Sequence, residues 1–587
     1  MLALYLIPYL LIGYDVIRKC VLGISHGQMF DESFLMTLAT IGAFGCNEFE
    51  EAVAVMLFYQ VGEFFQNYAV GKSRNAIKEL MSIAPEYANR ELPDGSIEVI
   101  DPDEVEIGDI LVVKSGEKIP VDAVVVDGEG LINTSALTGE SMPQFVKAGD
   151  SIISGCVNGD NLIKIRAIKI YDESTVAQIL EMVENAADKK SKTEAFITRF
   201  AKYYTPIVVI SAVLLAVIPS IIWGGFGMWV LRACTFLVIS CPCALVISVP
   251  LAFFGGIGAA SKNGILVKGS NYLEMMAHLD TFVTDKTGTL TEGKFAVSDV
   301  VCSGGISQDE LLKYAAAVET ASTHPIGLSI VEACEDGFAN EDISDAATIP
   351  GMGVSATINN RRVIAGNTSL MVDNGIEIPS EIHDLGTVVY VAIDSKYAGY
   401  IKVEDSPKSE AKIAINDIIK EKVEHVVMLT GDAEEAANRV AAELGISDVR
   451  AELLPQDKVR VVEELLGTLT GKNYLAYVGD GINDAPVLSR ADIGIAMGSL
   501  GSDAAIEAAD IVIMDDNIEK IPMLIRIARR TIGISKANIA FALVIKIACL
   551  ILGALGIANM WVAVFADVGV AMICILNSMR MLATHNY

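Results

Sequence analysis

Basic residues are scarce in this chain of 587 residues, in which 44 Lys and Arg stand against 74 Asp and Glu for a net charge of −30. Proteins that bind nucleic acid need an excess of basic residues, so the composition argues against such a partner. The 10 cysteines lack the spacing of a disulfide framework, which favours a reduced cytosolic environment for the soluble parts. No charged segment precedes the first apolar run, so we do not expect a signal peptide.

Apolar runs are abundant, and the hydrophobic fraction of 52% predicts membrane spans. Most Lys and Arg residues that flank these runs fall on one side, which places the two long polar regions and the C-terminus in the cytosol. The same rule places the N-terminus outside, so we expect at least one further span upstream. The sequence predicts seven spans, in the apolar runs 2–13, 34–45, 52–62, 203–223, 229–260, 539–557 and 560–576.

The two long polar regions have different patterns. In residues 71–202, short apolar stretches alternate with Gly, Pro and Asp turns, which predicts a small all-β domain. In residues 261–538, strand-like runs alternate with helical patterns, which is typical of an α/β domain.

The string Asp285-Lys286-Thr287-Gly288-Thr289-Leu290-Thr291 directly follows a predicted buried strand at 281–284. Parallel sheets bind their ligands at the carboxyl ends of strands, which is where Asp285 falls. Gly288 allows a sharp turn that brings backbone N–H groups toward an anion. The segment therefore predicts a carboxylate nucleophile that attacks a phosphoryl group.

This string resembles the phosphorylation motif of the P-type ATPases, the ion pumps that form an aspartyl-phosphate, and the resemblance implies that Asp285 is phosphorylated. Soluble phosphatases with this sheet usually carry an acid–base Asp two residues after the nucleophile, whereas this chain has Thr287. A hydroxyl is a poor acid or base at neutral pH, so the phosphoenzyme is expected to be long-lived, as a pump requires. A membrane-tethered phosphatase is the alternative interpretation.

Thr138-Gly139-Glu140, in the β-rich region, resembles the actuator-domain loop of the same family. The resemblance implies that Glu140 positions the water that hydrolyses the aspartyl-phosphate. A carboxylate on a moving domain acts as a base in only one conformation, so hydrolysis can be gated.

A magnesium site is predicted at a second strand end, after the apolar run 474–478. Asp480 is expected to complete it with the carboxylate of Asp285 and the carbonyl of Thr287. Asn483 and Asp484 are expected to lie close by and to support the phosphate and the metal.

Two further residues are expected to contact the transferring phosphoryl group. Thr430 ends a third apolar strand, and its hydroxyl and the neighbouring amides can hold the phosphoryl oxygens. The family resemblance implies that Lys458 is a cationic clamp.

The segment between Asp285 and Thr430 is long enough for an inserted domain. The short motifs in this segment are weak signals individually, but they occur in the order found in the nucleotide-binding domain of heavy-metal P-type ATPases. The resemblance implies that Glu319 and His324 contact adenine. It also implies that the other residues bring the backbone close to ATP: Gly351, Gly353 and Asn367.

Cys241-Pro242-Cys243 lies inside a predicted span. Proline breaks a membrane helix, and two thiols at the break can face one cavity. Thiolates suit soft or borderline metal ions. The triplet matches the heavy-metal (type IB) branch of the P-type ATPases.

The last two spans distinguish zinc from copper, because both branches share the triplet. Asp567 adds a hard oxygen ligand, which suits Zn²⁺ or Cd²⁺ better than Cu(I), and Lys546 can neutralise it when the metal leaves. Asn538 and Lys546, with Asp567, resemble the zinc-transporting subgroup, and Glu63 resembles its release-path carboxylate. A Cu(I) pump remains the alternative.

The sequence thus predicts a multidomain membrane protein: an α-helical transmembrane bundle, a β-rich actuator domain, an α/β phosphorylation domain related to the haloacid dehalogenases, and an inserted α+β nucleotide-binding domain. The expected function is ATP-driven export of Zn²⁺, Cd²⁺ or Pb²⁺ across a bacterial or archaeal plasma membrane. The expected cofactors are ATP and Mg²⁺. The expected partners are the metal ion, the bilayer and a soluble metal donor, and the expected state is a monomer.

The predicted boundaries are 1–70, 203–260 and 531–587 for the spans, 71–202 for the actuator domain, 261–292 with 403–530 for the phosphorylation domain and 293–402 for the nucleotide-binding domain.

Overall fold

The structure is a computed structural model, and it divides into two compact units. One comprises Met1–Leu279, Asp510–Asp515 and Met523–Tyr587, and the other comprises Asp280–Ala509 and Asp516–Pro522. The structure describes residues 2–26, 32–81, 84–135, 143–178, 180, 191–240, 243–303, 305–322, 324–334, 342–349, 352–378, 388–432, 434–479, 484–498, 503–557 and 559–581.

Each apolar run of the sequence lies wholly or largely in helices. A π-helical turn, Phe565–Gly569, joins the last two helices. The helices are α1 (Leu2–Ser25), α2 (Glu32–Gly45), α3 (Phe49–Met81), α4 (Lys192–Trp223), α5 (Phe226–Ile239), α6 (Cys243–Lys262), α7 (Ser270–Ala277), α8 (Gln308–Glu319), α9 (Pro325–Glu332), α10 (Thr368–Asp373), α11 (Ala411–Lys420), α12 (Glu434–Leu444), α13 (Pro455–Thr468), α14 (Ala485–Arg490), α15 (Asp503–Ala508), α16 (Lys520–Ala554), α17 (Met560–Val564) and α18 (Val570–Met579).

Within the described residues, four helical segments are long and apolar enough to cross a membrane: Tyr203–Trp223, Phe226–Lys262, Lys520–Ala554 and Trp561–Met579. A fifth apolar segment, Ser33–Gly45, is shorter. The helices α1 and α3 extend well beyond the apolar runs that the sequence shows, because polar and charged residues continue both helices.

The strands follow the predicted division into a β-rich region and an α/β region. They are β1 (Ala88–Glu91), β2 (Ile97–Ile100), β3 (Ile110–Val113), β4 (Ala123–Asp127), β5 (Gly130–Asn133), β6 (Gln144–Val146), β7 (Ser151–Ile152), β8 (Val157–Asn158), β9 (Ile163–Ala167), β10 (Ile265–Val267), β11 (Leu279–Asp285), β12 (Thr291–Cys302), β13 (Ile343–Ile349), β14 (Gly353–Ile358), β15 (Arg361–Gly366), β16 (Val388–Ile393), β17 (Lys396–Pro407), β18 (His425–Leu429), β19 (Asp448–Arg450), β20 (Tyr474–Gly479), β21 (Ile493–Met497) and β22 (Ile511–Ile513).

The β-rich region of the first unit contains two sheets, with the strand orders β2-β1-β3-β9-β4-β7 and β6-β5-β8. Apolar side chains alternate along β9, where Ile163, Ile165 and Ala167 are buried and the residues between them are not. This alternation is typical of an antiparallel sheet with one face on a core.

The α/β core of the second unit contains adjacent strands in the order β21-β20-β11-β18-β19. Every residue of β11 is buried, as expected for a strand covered on both faces. The strands β11 and β18 are parallel, with Asp285 opposite Leu429. Their carboxyl ends therefore meet at one edge of the sheet.

A second sheet of this unit has the order β12-β17-β16-β15-β14-β13. Its neighbouring strands are antiparallel. One buried core joins α8 and α9 to this sheet through Leu311, Ala315, Ile330, Val363 and Ile401, among others. The long strands β12 and β17 pair along most of their length and lead back to the segment that follows Asp285.

Candidate functional site

Two predicted catalytic residues meet at the carboxyl edge of the α/β sheet. Asp285 ends β11 and is 7% exposed, and Thr430 directly follows β18 and is 1% exposed. The parallel register places Asp285 opposite Leu429, the residue before Thr430, and the backbone N–H of Lys286 donates to Leu429 O at 3.2 Å. The predicted nucleophile and a hydroxyl residue therefore lie at the same edge of the sheet.

Lys458 reaches the same edge from the first turn of α13. Its Nζ lies 2.7 Å from Asp285 Oδ1 and 3.0 Å from Asp484 Oδ1. Burial lowers the pKa of Lys458, but the carboxylates of Asp285 and Asp484 raise it by more, so the net shift is upward. The ammonium therefore stays charged at neutral pH and lies between two carboxylates.

The loop after Asp285 is held by ion pairs and hydrogen bonds that the sequence did not indicate. Lys286 forms an ion pair with Asp432. Asp405 accepts hydrogen bonds from the hydroxyl of Thr291 and, at 3.0 Å, from the N–H of Gly293. Burial raises the pKa of Asp405, and these hydrogen bonds partly offset the shift.

Lys408 also holds this loop. Its Nζ donates to Gly288 O and to Asp516 O, both at 3.1 Å. Asp405 and Lys408 lie far from Asp285 in sequence, and only the pairing of β12 with β17 brings them close. No signal within their own segment indicates this.

Two residues of the predicted magnesium site, Asp480 and Asn483, lie outside the described residues. Thr287 is exposed, and Asp484 is 2% exposed with its carboxylate beside Lys458. Buried carboxylates at a strand edge fit Mg²⁺, which binds through one or two carboxylates together with phosphate oxygens. Asp285 and its neighbours would hold the ion, which supplies charge neutralisation for the phosphate groups.

The predicted actuator loop, Thr138-Gly139-Glu140, also lies outside the described residues. The strands on either side of it are described. Gly130 pairs with Val146 and Ile132 pairs with Gln144, so β5 and β6 are antiparallel neighbours. Glu140 therefore falls in sequence between two strands that are adjacent in the sheet.

The predicted adenine-contacting residues are on the second sheet's helices. Glu319 ends α8 and is 5% exposed. Burial raises the pKa of its carboxyl to about 7, although a hydrogen bond with Ser322 lowers the pKa in part. His324 precedes α9, is exposed, and accepts a hydrogen bond from the N–H of Ile326 at 3.3 Å. A buried carboxyl that can hold its proton near neutral pH offers both a donor and an acceptor to a purine edge.

The glycine and amide residues predicted near ATP have local structural roles. Gly353 has a φ of +148°, and a Cβ there would lie 2.2 Å from Ala365 O, so the backbone approaches β15 closely. Asn367 Oδ1 accepts a hydrogen bond from the N–H of Leu370 at 3.1 Å and so caps α10. Gly351 lies outside the described residues.

The membrane helices bring two charged residues together. Lys546 Nζ on α16 lies 2.7 Å from Asp567 Oδ1, and the two side chains are 5% and 3% exposed. The same ammonium donates to Ile239 O at 3.2 Å, on the last residue of α5. Asp567 lies in the π-helical turn, a feature often found at functional sites, which the sequence did not predict.

The predicted thiol ligands follow α5 in the chain. Cys241 lies outside the described residues, and Cys243 is the first residue of α6. Among the side chains that the structure describes, His, Cys, Asp and Glu form no group of three that would hold a metal ion. The carbonyl of Ile239 nevertheless places the Lys546–Asp567 pair beside the helix end that precedes the triplet.

Asn538 ties three membrane helices together. Its Nδ2 donates to Cys574 O at 3.0 Å and to Ser578 Oγ at 2.9 Å. The hydroxyl of Ser578 donates to Ser248 O at 2.8 Å. Asn538 thus links α16 to α18 directly and to α6 through Ser578. Glu63 lies on α3.

Two family models match the chain. The P-type ATPase actuator domain matches residues 82–184, and the haloacid dehalogenase-like hydrolase matches residues 279–492.

Similar proteins cover nearly the whole chain. The cadmium, zinc and cobalt-transporting ATPase of Bacillus subtilis is 51% identical over 99% of this chain and 83% of that protein. The zinc-transporting ATPase of Synechocystis sp. is 49% identical over 97% of this chain and 79% of that protein. The crystal structure of a zinc-transporting PIB-type ATPase in the E2.Pi state has a TM-score of 0.65 at 34% identity and covers 99% of this chain and 95% of that one.

These matches identify a membrane enzyme that hydrolyses ATP with Mg²⁺ and has its large polar domains in the cytosol. The chain belongs to the heavy-metal (type IB) branch of the P-type ATPases. The predicted fold class, with its actuator domain and its α/β domain related to the haloacid dehalogenases, is confirmed.

Proposed function

We propose that this chain exports Zn²⁺ or Cd²⁺, and also accepts Pb²⁺, through an aspartyl-phosphate on Asp285. The observation that carries the choice of ion is the buried Lys546–Asp567 pair beside Ile239 O. A charged pair within membrane helices is costly and is typical of an ion pathway.

The charges favour a divalent ion over Cu(I). Two thiolates, from Cys241 and Cys243, and the carboxylate of Asp567 supply three negative charges, of which Lys546 offsets one. A divalent ion neutralises the remainder, whereas Cu(I) leaves one negative charge at membrane depth. A carboxylate beside two thiolates also suits Zn²⁺ or Cd²⁺ better than Cu(I).

In the proposed cycle, metal binding triggers phosphorylation of Asp285, with Lys458 and Thr430 at the phosphoryl group and Asp480 and the Thr287 carbonyl on Mg²⁺. The phosphoenzyme opens the metal site outward past Glu63, and hydrolysis resets it. Proximity of Lys458 Nζ to Asp285 Oδ1, at 2.7 Å, supports the clamp assignment.

ATP is proposed to bind in the domain 293–402, between the parts of the phosphorylation domain at 261–292 and 403–530. We assign its contacts to the residues that the sequence indicated: Glu319, His324, Gly351, Gly353 and Asn367. The remaining proposed divisions are the spans at 1–70, 203–260 and 531–587 and the actuator domain at 71–202. We further propose that the transporter works as a monomer and receives metal from a soluble donor.

The test of ion identity is metal-dependent ATP hydrolysis by the purified chain in lipid. We expect Zn²⁺ and Cd²⁺ to stimulate hydrolysis and Cu(I) to have no effect. Stimulation by Cu(I) without a response to Zn²⁺ or Cd²⁺ would refute the proposed ion, and metal-independent release of phosphate from simple esters would favour the phosphatase alternative.

A second test concerns Glu140. The variant Glu140→Gln is expected to form phosphoenzyme from ATP but to lose it about a hundredfold more slowly, because only the hydrolysis step lacks its base. The decay of ³²P-labelled protein after a chase with unlabelled ATP measures this. The exposed Glu129 of the same domain, changed to Gln, serves as the control and is expected to decay normally. A Glu140→Gln protein that cannot be phosphorylated would contradict the assigned role.

A further inference from the structure

A second Lys–carboxylate pair lies between α1 and α3. Lys19 Nζ is 3.3 Å from Glu63 Oε2. The side chain of Glu63 is 13% exposed, whereas that of Lys19 is 60% exposed. Glu63 is therefore held in the packing of α3, whereas the exposed Lys19 side chain can move away on its flexible stem.

Glu63 lies close to the turn that carries Asp567. A Cβ on the preceding residue, Gly62, would lie 3.0 Å from the side chain of Val568, which directly follows Asp567. The backbone of α3 therefore packs against the π-helical turn one residue before Glu63.

An opening with a volume of about 450 Å³ lies beside Glu63. Its polar lining includes Asp15, Arg18, Gln60 and Asn67, together with the Lys19–Glu63 pair. The volume is many times that of one water molecule, which is about 30 Å³ in the liquid, so the opening can hold water and leaves the Lys19 side chain room to move away from Glu63.

We propose that Lys19 is a positioning residue that holds Glu63 when no metal is there and displaces the metal from it during each cycle. This inference rests on the proposed function and on the assignment of Glu63 to the release path. Two cations cannot share one carboxylate without repulsion, so the ammonium leaves as the metal arrives and its return promotes release. Lys546 is not available for this role, because it is buried and bound to Asp567 and Ile239 O.

The experiment compares Lys19→Gln and Lys19→Arg with the unmodified chain in lipid vesicles. We expect Lys19→Gln to lower the Zn²⁺-stimulated kcat by about two- to fivefold, the range for a partly exposed ion pair, with an unchanged or lower KM for Zn²⁺. Glu63 without its ammonium retains the metal longer, so release of ¹⁰⁹Cd²⁺ should slow by the same factor. Lys19→Arg is expected to restore both rates.

The matched control is Lys536→Gln, which removes the same charge from an exposed position on α16, outside this opening. We expect its kcat and KM to equal those of the unmodified chain. Equal kinetics for Lys19→Gln and Lys536→Gln would overturn the inference, as would a loss of thermal stability in Lys19→Gln that accounts for the lower kcat. Failure of the unmodified chain to respond to Zn²⁺ or Cd²⁺ would instead overturn the proposed function.

Discussion

Replacing Asp285 with Asn is expected to abolish both acid-stable phosphorylation and metal-stimulated ATP hydrolysis. Asn matches the shape of Asp but cannot attack a phosphoryl group, so no covalent intermediate forms. Lys458 keeps its partner Asp484, 3.0 Å from Nζ, so the edge of the sheet should remain folded. Labelling with γ-³²P-ATP followed by an acid gel measures the loss, and binding of a fluorescent ATP analogue should be retained.

The control for this change is Asp299→Asn, which removes an exposed carboxylate from β12, the next strand along the chain. It should label and turn over like the unmodified chain. Label that persists on the Asp285→Asn protein would mean that another residue is the nucleophile.

Replacing Asp567 with Ala is expected to eliminate stimulation by Zn²⁺ and Cd²⁺. The change removes a proposed ligand and leaves Lys546 buried without the carboxylate that lies 2.7 Å from it. Removing one partner of a buried ion pair costs about 3–5 kcal/mol of stability, so the melting temperature should fall as well. Asp567→Asn, which keeps the shape, separates loss of charge from loss of packing. Metal-dependent ATP hydrolysis and bound ¹⁰⁹Cd²⁺ are the measurements.

The companion change Lys546→Ala should have the opposite effect. The protein binds the metal but releases it slowly, because no ammonium replaces the departing ion beside Asp567. Lys536→Ala removes an exposed charge from the same helix and should behave normally. Full Zn²⁺ stimulation of the Asp567→Ala protein would remove the physical basis of the proposed ion preference.

The sequence predicted that Asp285 and Thr430 lie at strand ends, and the structure has them there, because these positions follow from local rules. An apolar run that ends in Asp285 and another that ends before Thr430 become parallel strands, and parallel strands present their carboxyl ends together. The type of each polar residue at such an end then indicates its chemistry.

The residues that the sequence missed depend on pairings across long separations. Asp405 and Lys408 reach the loop after Asp285 only because β17 pairs with β12, which no local pattern reveals. The burial of Lys458 likewise depends on where α13 begins relative to the sheet, whereas its own segment resembles an ordinary amphipathic helix. The Lys19–Glu63 contact requires the packing of α1 on α3.

The π-helical turn at Phe565–Gly569 also determines how the last span can be aligned with other helices. Such a turn contains one residue more than the corresponding α-helical turn, and each α-helical residue advances the side-chain direction by about 100°. The residues before and after it therefore belong to different rotational phases, and one helical wheel cannot represent both α17 and α18. A single-residue deletion within the turn would bring the two into phase and rotate Asn577 and Ser578 away from Asn538, although the composition of the span would hardly change.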